Sequence, residues 1–233
     1  MLEACLADLR LTLPPDARRA IDDHARLLLA WTQAINLTAI RDPTGVARLH
    51  VADSLTAVEP LRARGVESLL DLGSGGGYPG LPLAVTLPAT RTLLVESVGK
   101  KAAFLETVVE ATGLGGLVRV AAERAETLAA DPRHRERWQA VTSRAVGTVA
   151  NVVELGFPLL RPGGCVVAWK RLPIDAELDA ARGAVDALGG GTIEVVRTAV
   201  RSLDGHVLAI ATKRGRTAST YPRDPAERAR RPW

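Results

Sequence analysis

The feature that most constrains this chain is the segment Asp71-Leu72-Gly73-Ser74-Gly75-Gly76-Gly77-Tyr78-Pro79-Gly80. It grows out of Val66–Leu72 (VESLLDL), an apolar run that reads as a buried strand, and it leads into a helical pattern from about Leu81. Glycine lets a backbone turn sharply and approach a ligand with no Cβ in the way. A glycine run on its own is weak, because flexible turns are common. Behind the first strand of an alternating series it marks a nucleotide-type ligand at the carboxyl ends of the strands.

The series is present. Arg91–Glu96 (RTLLVE) reads as a second strand, Val118–Ala121 as a third, Gln139–Ser143 as a fourth and Cys165–Lys170 (CVVAWK) as a fifth. Helical patterns fall at Lys100–Thr112, Val149–Leu160 and Asp175–Leu188, and Pro162-Gly163-Gly164 reads as a turn. Two β-rich runs, Thr192–Val200 and Val207–Thr212, close the series around the turn Asp204-Gly205. Alternating β and α units predict an α/β fold, a parallel sheet covered on both faces; the closing pair predicts an antiparallel end. Residues 1–60 read as a helical extension. Behind Pro14-Pro15 and Asp16, apolar residues recur at Ala17, Ala20, Ile21, Leu27, Leu28, Trp31 and Ile35, and Asp42-Pro43-Thr44 starts a second helix. The expected organisation is therefore this extension, a core over residues 61–213, and a polar tail over 214–233.

Which ligand the glycines hold is set by their neighbours. Gly75, Gly77 and Gly80 formally satisfy the dinucleotide spacing. Two features oppose that reading. Asp71 at the strand end repels a pyrophosphate but suits the ammonium of an amino-acid-bearing cofactor. Pro79 and Pro82 flank a helix start where a pyrophosphate site wants free N–H donors. Glu96, ending the second strand, can accept from ribose hydroxyls in either case. Acids at both positions favour S-adenosylmethionine, with NAD(P) as the alternative.

Charge speaks to the partner. Between Lys213 and Trp233 stand seven cations and two anions, a surplus of +5 against a net +4, so the tail carries the whole excess and residues 1–212 sum to about −1. A basic tail on a neutral body points to a polyanion, RNA before membrane, against the alternative of a solvated end. Only 3% of residues are aromatic, which disfavours a stacking platform for single strands. No apolar run reaches membrane length, and MLEACLADLR is not a signal sequence. Cys5 and Cys165 belong to no metal-binding spacing and read as two reduced, packed thiols of a cytoplasmic protein.

The runs LLDLGSGGGYPGLPLAV, LLVESVGKKAAFL, AERAETL and VTSRAV, in that order, carry a resemblance. With WTQAINLTAIRDP and HVADSL upstream and Tyr221-Pro222-Arg223 near the end, the chain resembles the bacterial small-subunit ribosomal RNA guanine-N7 methyltransferase family (glucose-inhibited division protein B). The resemblance implies a class I S-adenosylmethionine-dependent methyltransferase: a Rossmann-like, seven-stranded, mostly parallel sheet with an antiparallel last strand. It implies N7 methylation of one guanine in 16S rRNA, with the small ribosomal subunit as substrate. Cofactor contacts carried over by matching motifs are Gly73, Tyr78, Ala125, Glu126 and Arg144, beside Asp71, Gly75, Gly77 and Glu96 from the loop reading. Lys170 matches a lysine that faces the RNA, and Asn36-Leu37-Thr38 matches the wall near the substrate. This sequence has Tyr78 where the family usually has Leu or Phe. It has Gly205 where the family has an arginine beside the histidine matching His206, and it lacks the glycine after Tyr221-Pro222-Arg223.

Guanine N7 carries an in-plane lone pair, so direct in-line transfer needs no general base and no metal. Alignment, dehydration and electrostatics remain for the protein to supply. Arg144 and Lys170 are the residues expected to act on the substrate, with Lys170, Arg171 and the tail arginines on phosphates. The target base is expected unpaired, because N7 of paired RNA lies in a groove too narrow for side chains. His50 and Asp53, one turn apart, are expected to pair and fix the N-terminal helices, and a monomer is expected. Other readings are a small-molecule methyltransferase of the same fold, an NAD(P)-dependent oxidoreductase and a non-catalytic RNA-binding factor.

Overall fold

In the computed structural model, which describes residues 1–233, the N-terminal stretch is helical throughout. Helix α1 spans Leu2–Asp8 and α2 Pro15–Ile35. Pro15 opens α2 where a missing N–H costs nothing, and Asn36, left-handed at φ 49°, ends it. Its buried side chains, Ala17, Ala20, Ile21, His24, Leu28 and Thr32, follow helical spacing. The Asp42 carboxylate accepts the Gly45 N–H at 2.7 Å and caps α3 (Pro43–Gly45). The chain then winds wider, as a π-helix over Val46–Ala52, before α4 (Asp53–Leu55) and α5 (Val58–Ala63). Wide turns of this kind are rare and re-aim side chains, often near functional sites.

Strand and helix then alternate: β1 (Ser68–Leu72), α6 (Gly80–Thr86), β2 (Arg91–Val95), α7 (Gly99–Ala111), β3 (Val118–Ala121), α8 (Ala125–Ala130) and β4 (Trp138–Arg144). After these come α9 (Val149–Gly156), β5 (Leu160–Arg171), α10 (Asp175–Ala187), β6 (Gly191–Arg197), β7 (His206–Lys213) and α11 (Pro225–Arg230). The seven strands form one sheet in the order β3-β2-β1-β4-β5-β7-β6. β1, β2 and β3 pair in parallel, as do β4 and β5, and β7 runs antiparallel to both β5 and β6. The predicted α/β sheet with its antiparallel last strand is thus the observed one.

The chain divides into two compact units. The first, Met1–Ala122 with Thr198–Asp204, holds α1–α7 and β1–β3. All five residues of β1 are buried, paired in register with β2 from Ser68–Arg91 to Leu72–Val95. Each such leucine withdrawn from water contributes about 1.5–3 kcal/mol. The second unit, Glu123–Arg197 with Gly205–Trp233, centres on β5 and β7, paired from Cys165–Thr212 to Arg171–His206. Both cysteines are buried free thiols.

Three local expectations are corrected. The turn at Pro162-Gly163-Gly164 lies inside β5, where the register with β4 shifts between Trp138 and Ala140: the glycines form an irregularity in a strand, not its boundary. The β-rich run to Val200 stops at Arg197, and Arg201–Leu203 is a 3-10 turn tied to the first unit. There the Arg201 guanidinium donates to Asp8 at 3.0 Å. The tail is not featureless either, because Asp224 caps α11 through the Glu227 N–H at 2.9 Å.

Candidate functional site

At the carboxyl end of β1 the chain makes a tight loop and turns into α6. Gly73, Gly75 and Gly77 have φ of 68°, 54° and 89°, values that side chains disfavour. Backbone bonds lock the start of the loop: Gly73 and Ser74 donate to the Val95 carbonyl at 2.9 and 3.0 Å. Gly77 donates to Ser74 O at 2.7 Å. Asp71, fully buried, accepts the Gly80 N–H at 3.2 Å and so ties the strand end to the helix start. Glu96 accepts from Gly75 N–H at 3.0 Å through one oxygen and from Val98 N–H at 2.8 Å through the other. Each carboxylate oxygen retains a further lone pair.

The loop has an open side and a packed side. A Cβ on Gly75 would meet nothing nearer than Gly73 O at 3.8 Å. One on Gly76 would sit 2.7 Å from Leu28 Cδ1, and one on Gly77 would sit 2.8 Å from His24 Nε2. The open side lies at Gly75, beside the Glu96 carboxylate. The packed side rests on α2.

That packed side holds one polar group that sequence reasoning missed, His24. His24 is 2% exposed, and its Nε2 lies 2.7 Å from the Gly76 carbonyl. Facing a carbonyl oxygen, Nε2 must carry the proton. Burial pushes the imidazole down to about 4, against a weaker upward pull from the Gly76 bond, so the ring is neutral at pH 7. Tyr78 stacks on His24 with centroids 4.3 Å apart and on His50 at 4.8 Å. His50 Nε2 is 2.7 Å from Thr38 Oγ1. The only sequence signal for His24 was its place on the apolar stripe of α2, which by itself reads as core.

The Asp71 carboxylate faces the loop backbone, capping Gly80, because a buried charge needs a donor and the helix start offers one. The Tyr78 ring points into the packed side between two imidazoles, and Gly75 is the loop glycine with open space beside it.

In the second unit, Ala125 and Glu126 open α8, and the Glu126 carboxylate is paired with Arg228 of α11. Arg144 ends β4, half-buried and in register with Trp169 of β5. Lys170 is committed: its ammonium donates to Gly147 O at 2.6 Å and pairs with Glu177 at 2.7 Å. Burial pushes Glu177 up, but Lys170 and the Val149 N–H outweigh it and hold the carboxyl below its ordinary range.

The basic tail is a docked strap. Glu154, with no exposed surface, accepts from the Arg223 backbone and guanidinium at 2.6–2.9 Å and from Trp233 Nε1 at 2.6 Å. The Arg135 guanidinium donates to the carbonyls of Ala129, Thr217, Ala218 and Tyr221. Lys213, wholly buried, pairs with Glu136 at 3.0 Å and donates to the Phe157 and Leu160 carbonyls. Four of the seven tail cations are thus bound to the unit's own acids, while Arg214, Arg230 and Arg231 stay exposed. No group of three or more His, Cys, Asp and Glu side chains is placed to hold a metal, and no helix is long and apolar enough to cross a membrane.

Comparison with known proteins accords with this arrangement. The family described as GidB, rRNA small subunit methyltransferase G, matches residues 17–202. The ribosomal RNA small subunit methyltransferase G of Roseiflexus sp. (strain RS-1) is 41% identical over 218 residues, covering 92% of each chain. Its namesake from Rubrobacter xylanophilus is 40% identical, covering 91% of this chain and 82% of its own. Among solved structures, the O-methyltransferase of Bacillus cereus in complex with SAH superposes with a TM-score of 0.59 at 16% identity, over 91% of this chain and all of that one. That likeness shows the fold, the class I methyltransferase sheet. The family match and the relatives show that this chain belongs to the rRNA small subunit methyltransferase G family.

Proposed function

We propose that the chain methylates N7 of a guanine in 16S rRNA, with S-adenosylmethionine as donor. The observation that carries the donor assignment is the open side of the glycine loop at Gly75, directly beside the Glu96 carboxylate, in a member of this family. When bound, the donor supplies a methyl on a positively charged sulfur, electrophilic enough for a ring nitrogen with a free lone pair. The protein's residues then need only bind, align and exclude water. Gly73, Gly75 and Gly77 let the donor lie against backbone. Glu96 has lone pairs left for ribose hydroxyls while its other bonds hold the loop's shape. Ala125 and Glu126 flank the donor through their backbone, since the Glu126 carboxylate already holds Arg228.

Of the two residues expected at the substrate, Arg144 remains the candidate for orienting the base. The charge of Lys170 is neutralised by Glu177, so Lys170 shapes the turn at Gly147 instead. Exposed Arg171, Arg214, Arg230 and Arg231 are the phosphate contacts of this reading. It places the protein in the cytoplasm as a monomer that acts on the small subunit.

Two measurements test this. Calorimetry with S-adenosylhomocysteine should show a single site, and NADH should give no heat. Mass spectrometry of rRNA nucleosides should show 7-methylguanosine lost in a deletion strain and regained with the wild-type chain; no difference between the strains refutes the assignment.

A further inference from the structure

The glycine loop faces its ligand on one side only, and the other side is built with unusual care. A buried imidazole is costly unless its N–H finds a partner. His24 donates its Nε2–H to the carbonyl of Gly76, at the centre of the loop. Gly77 has no room for a Cβ because His24 and Leu81 already occupy that space, so imidazole and glycine fit only together. The next residue, Tyr78, is held between His24 and His50 in nearly parallel stacks, with interplanar angles of 17° and 21°. His50 in turn is anchored to Thr38, whose hydroxyl also accepts the Ile40 N–H at 3.1 Å.

We propose that the His24–Tyr78–His50 stack, joined to the loop by the His24–Gly76 hydrogen bond, fixes the glycine loop in its ligand-binding shape before the donor arrives. His24 is thus a positioning residue. This rests on the assignment of the loop to S-adenosylmethionine. Glycines at positive φ have the most freedom to lose, so an untethered loop would be ordered for only part of the time. Apparent affinity falls in proportion to the ordered fraction. A hydrogen bond from a neutral, buried group does this work independently of salt. A leucine of similar volume would fill the space yet leave the Gly76 carbonyl without its donor.

The test compares His24→Leu, which keeps volume and removes the donor, with His24→Gln, which restores an N–H. Calorimetry with S-adenosylhomocysteine should show His24→Leu binding about tenfold more weakly and His24→Gln returning to within about threefold of wild type. Steady-state rates should show KM for the donor raised in His24→Leu and kcat unchanged. Hydrogen exchange in the unliganded wild-type protein should show the Gly77 amide protected. The proposal is overturned if both variants bind as wild type does, or if that amide exchanges freely until S-adenosylhomocysteine is added. Should His24→Leu fail to fold, the wild-type exchange measurement decides. If wild type itself binds no S-adenosylhomocysteine, the donor assignment fails, and loss of Gly77 amide protection in His24→Leu relative to wild type still tests the tether.

Discussion

Each unit fastens a surface segment to its interior, and the two do so with opposite chemistry. In the first, the glycine loop is held by stacked rings, His24, Tyr78 and His50, with one hydrogen bond from the neutral His24 to the Gly76 carbonyl. In the second, the strap over residues 214–233 is held by charge: Glu154 with Arg223, Glu136 with Lys213 and Arg216, Glu126 with Arg228. A neutral tether contributes little long-range force but is indifferent to salt. An ionic one inside the protein is strong only while both partners are present, because an unpaired buried charge is worse than none. The comparison predicts different failures for the two regions.

Breaking the strap should have the largest effect. Arg223→Ala leaves the fully buried Glu154 carboxylate without its counter-charge and should cost about 3–5 kcal/mol, read from urea unfolding. A loss under about 1 kcal/mol would show that water reaches Glu154 and that the strap is loosely docked.

Acid should distinguish the two kinds of tether. His24, pushed down to about 4 from 6.5 in the unfolded chain, gives stability that is complete above pH 6.5 and lost as pH falls toward 4. Glu136 and Glu154 are pushed up by burial but held lower overall by their donors, so their contribution is complete above the ordinary glutamate range and lost only below it. His24→Gln should flatten the dependence of melting temperature on pH between 6.5 and 4 and leave the more acidic part unchanged. An unaltered profile would assign that slope to another group.

Smaller effects sharpen the contrast. Asp71→Ala leaves the buried Gly80 N–H without an acceptor and should cost about 1–3 kcal/mol, with weaker S-adenosylhomocysteine binding through a displaced loop. Arg228→Ala removes a partly exposed pair and should cost about 0–1 kcal/mol, diminishing in added salt. Arg171→Ala should leave stability untouched and lower the salt slope of rRNA binding by about 1. A slope unchanged by Arg171→Ala removes it from the phosphate contacts.

Much of the sheet was legible because its signals are local. Val118–Ala121 was read with its true ends, and the strand before the glycine loop was placed within two residues of Ser68–Leu72. Short helices such as α8 and α11 were not, because six residues give less than two turns of periodicity. The glycines of the site were legible for the same reason as the strands, since only glycine suits those angles. The bonds of Asp71 and the orientation of Tyr78 were not, because they depend on what folds back against them.

Sequence by itself determined the order of strands and helices, the place of the glycine loop and the family. Backbone preferences and apolar spacing act over a few residues and are written in consecutive letters. Tertiary structure decided which charges are spent and which polar groups face a ligand. His24 lies 52 positions from Gly76, and Arg223 lies 69 from Glu154. Desolvation and pairing depend on neighbours in space, and at such separations the chain brings them together only when it folds.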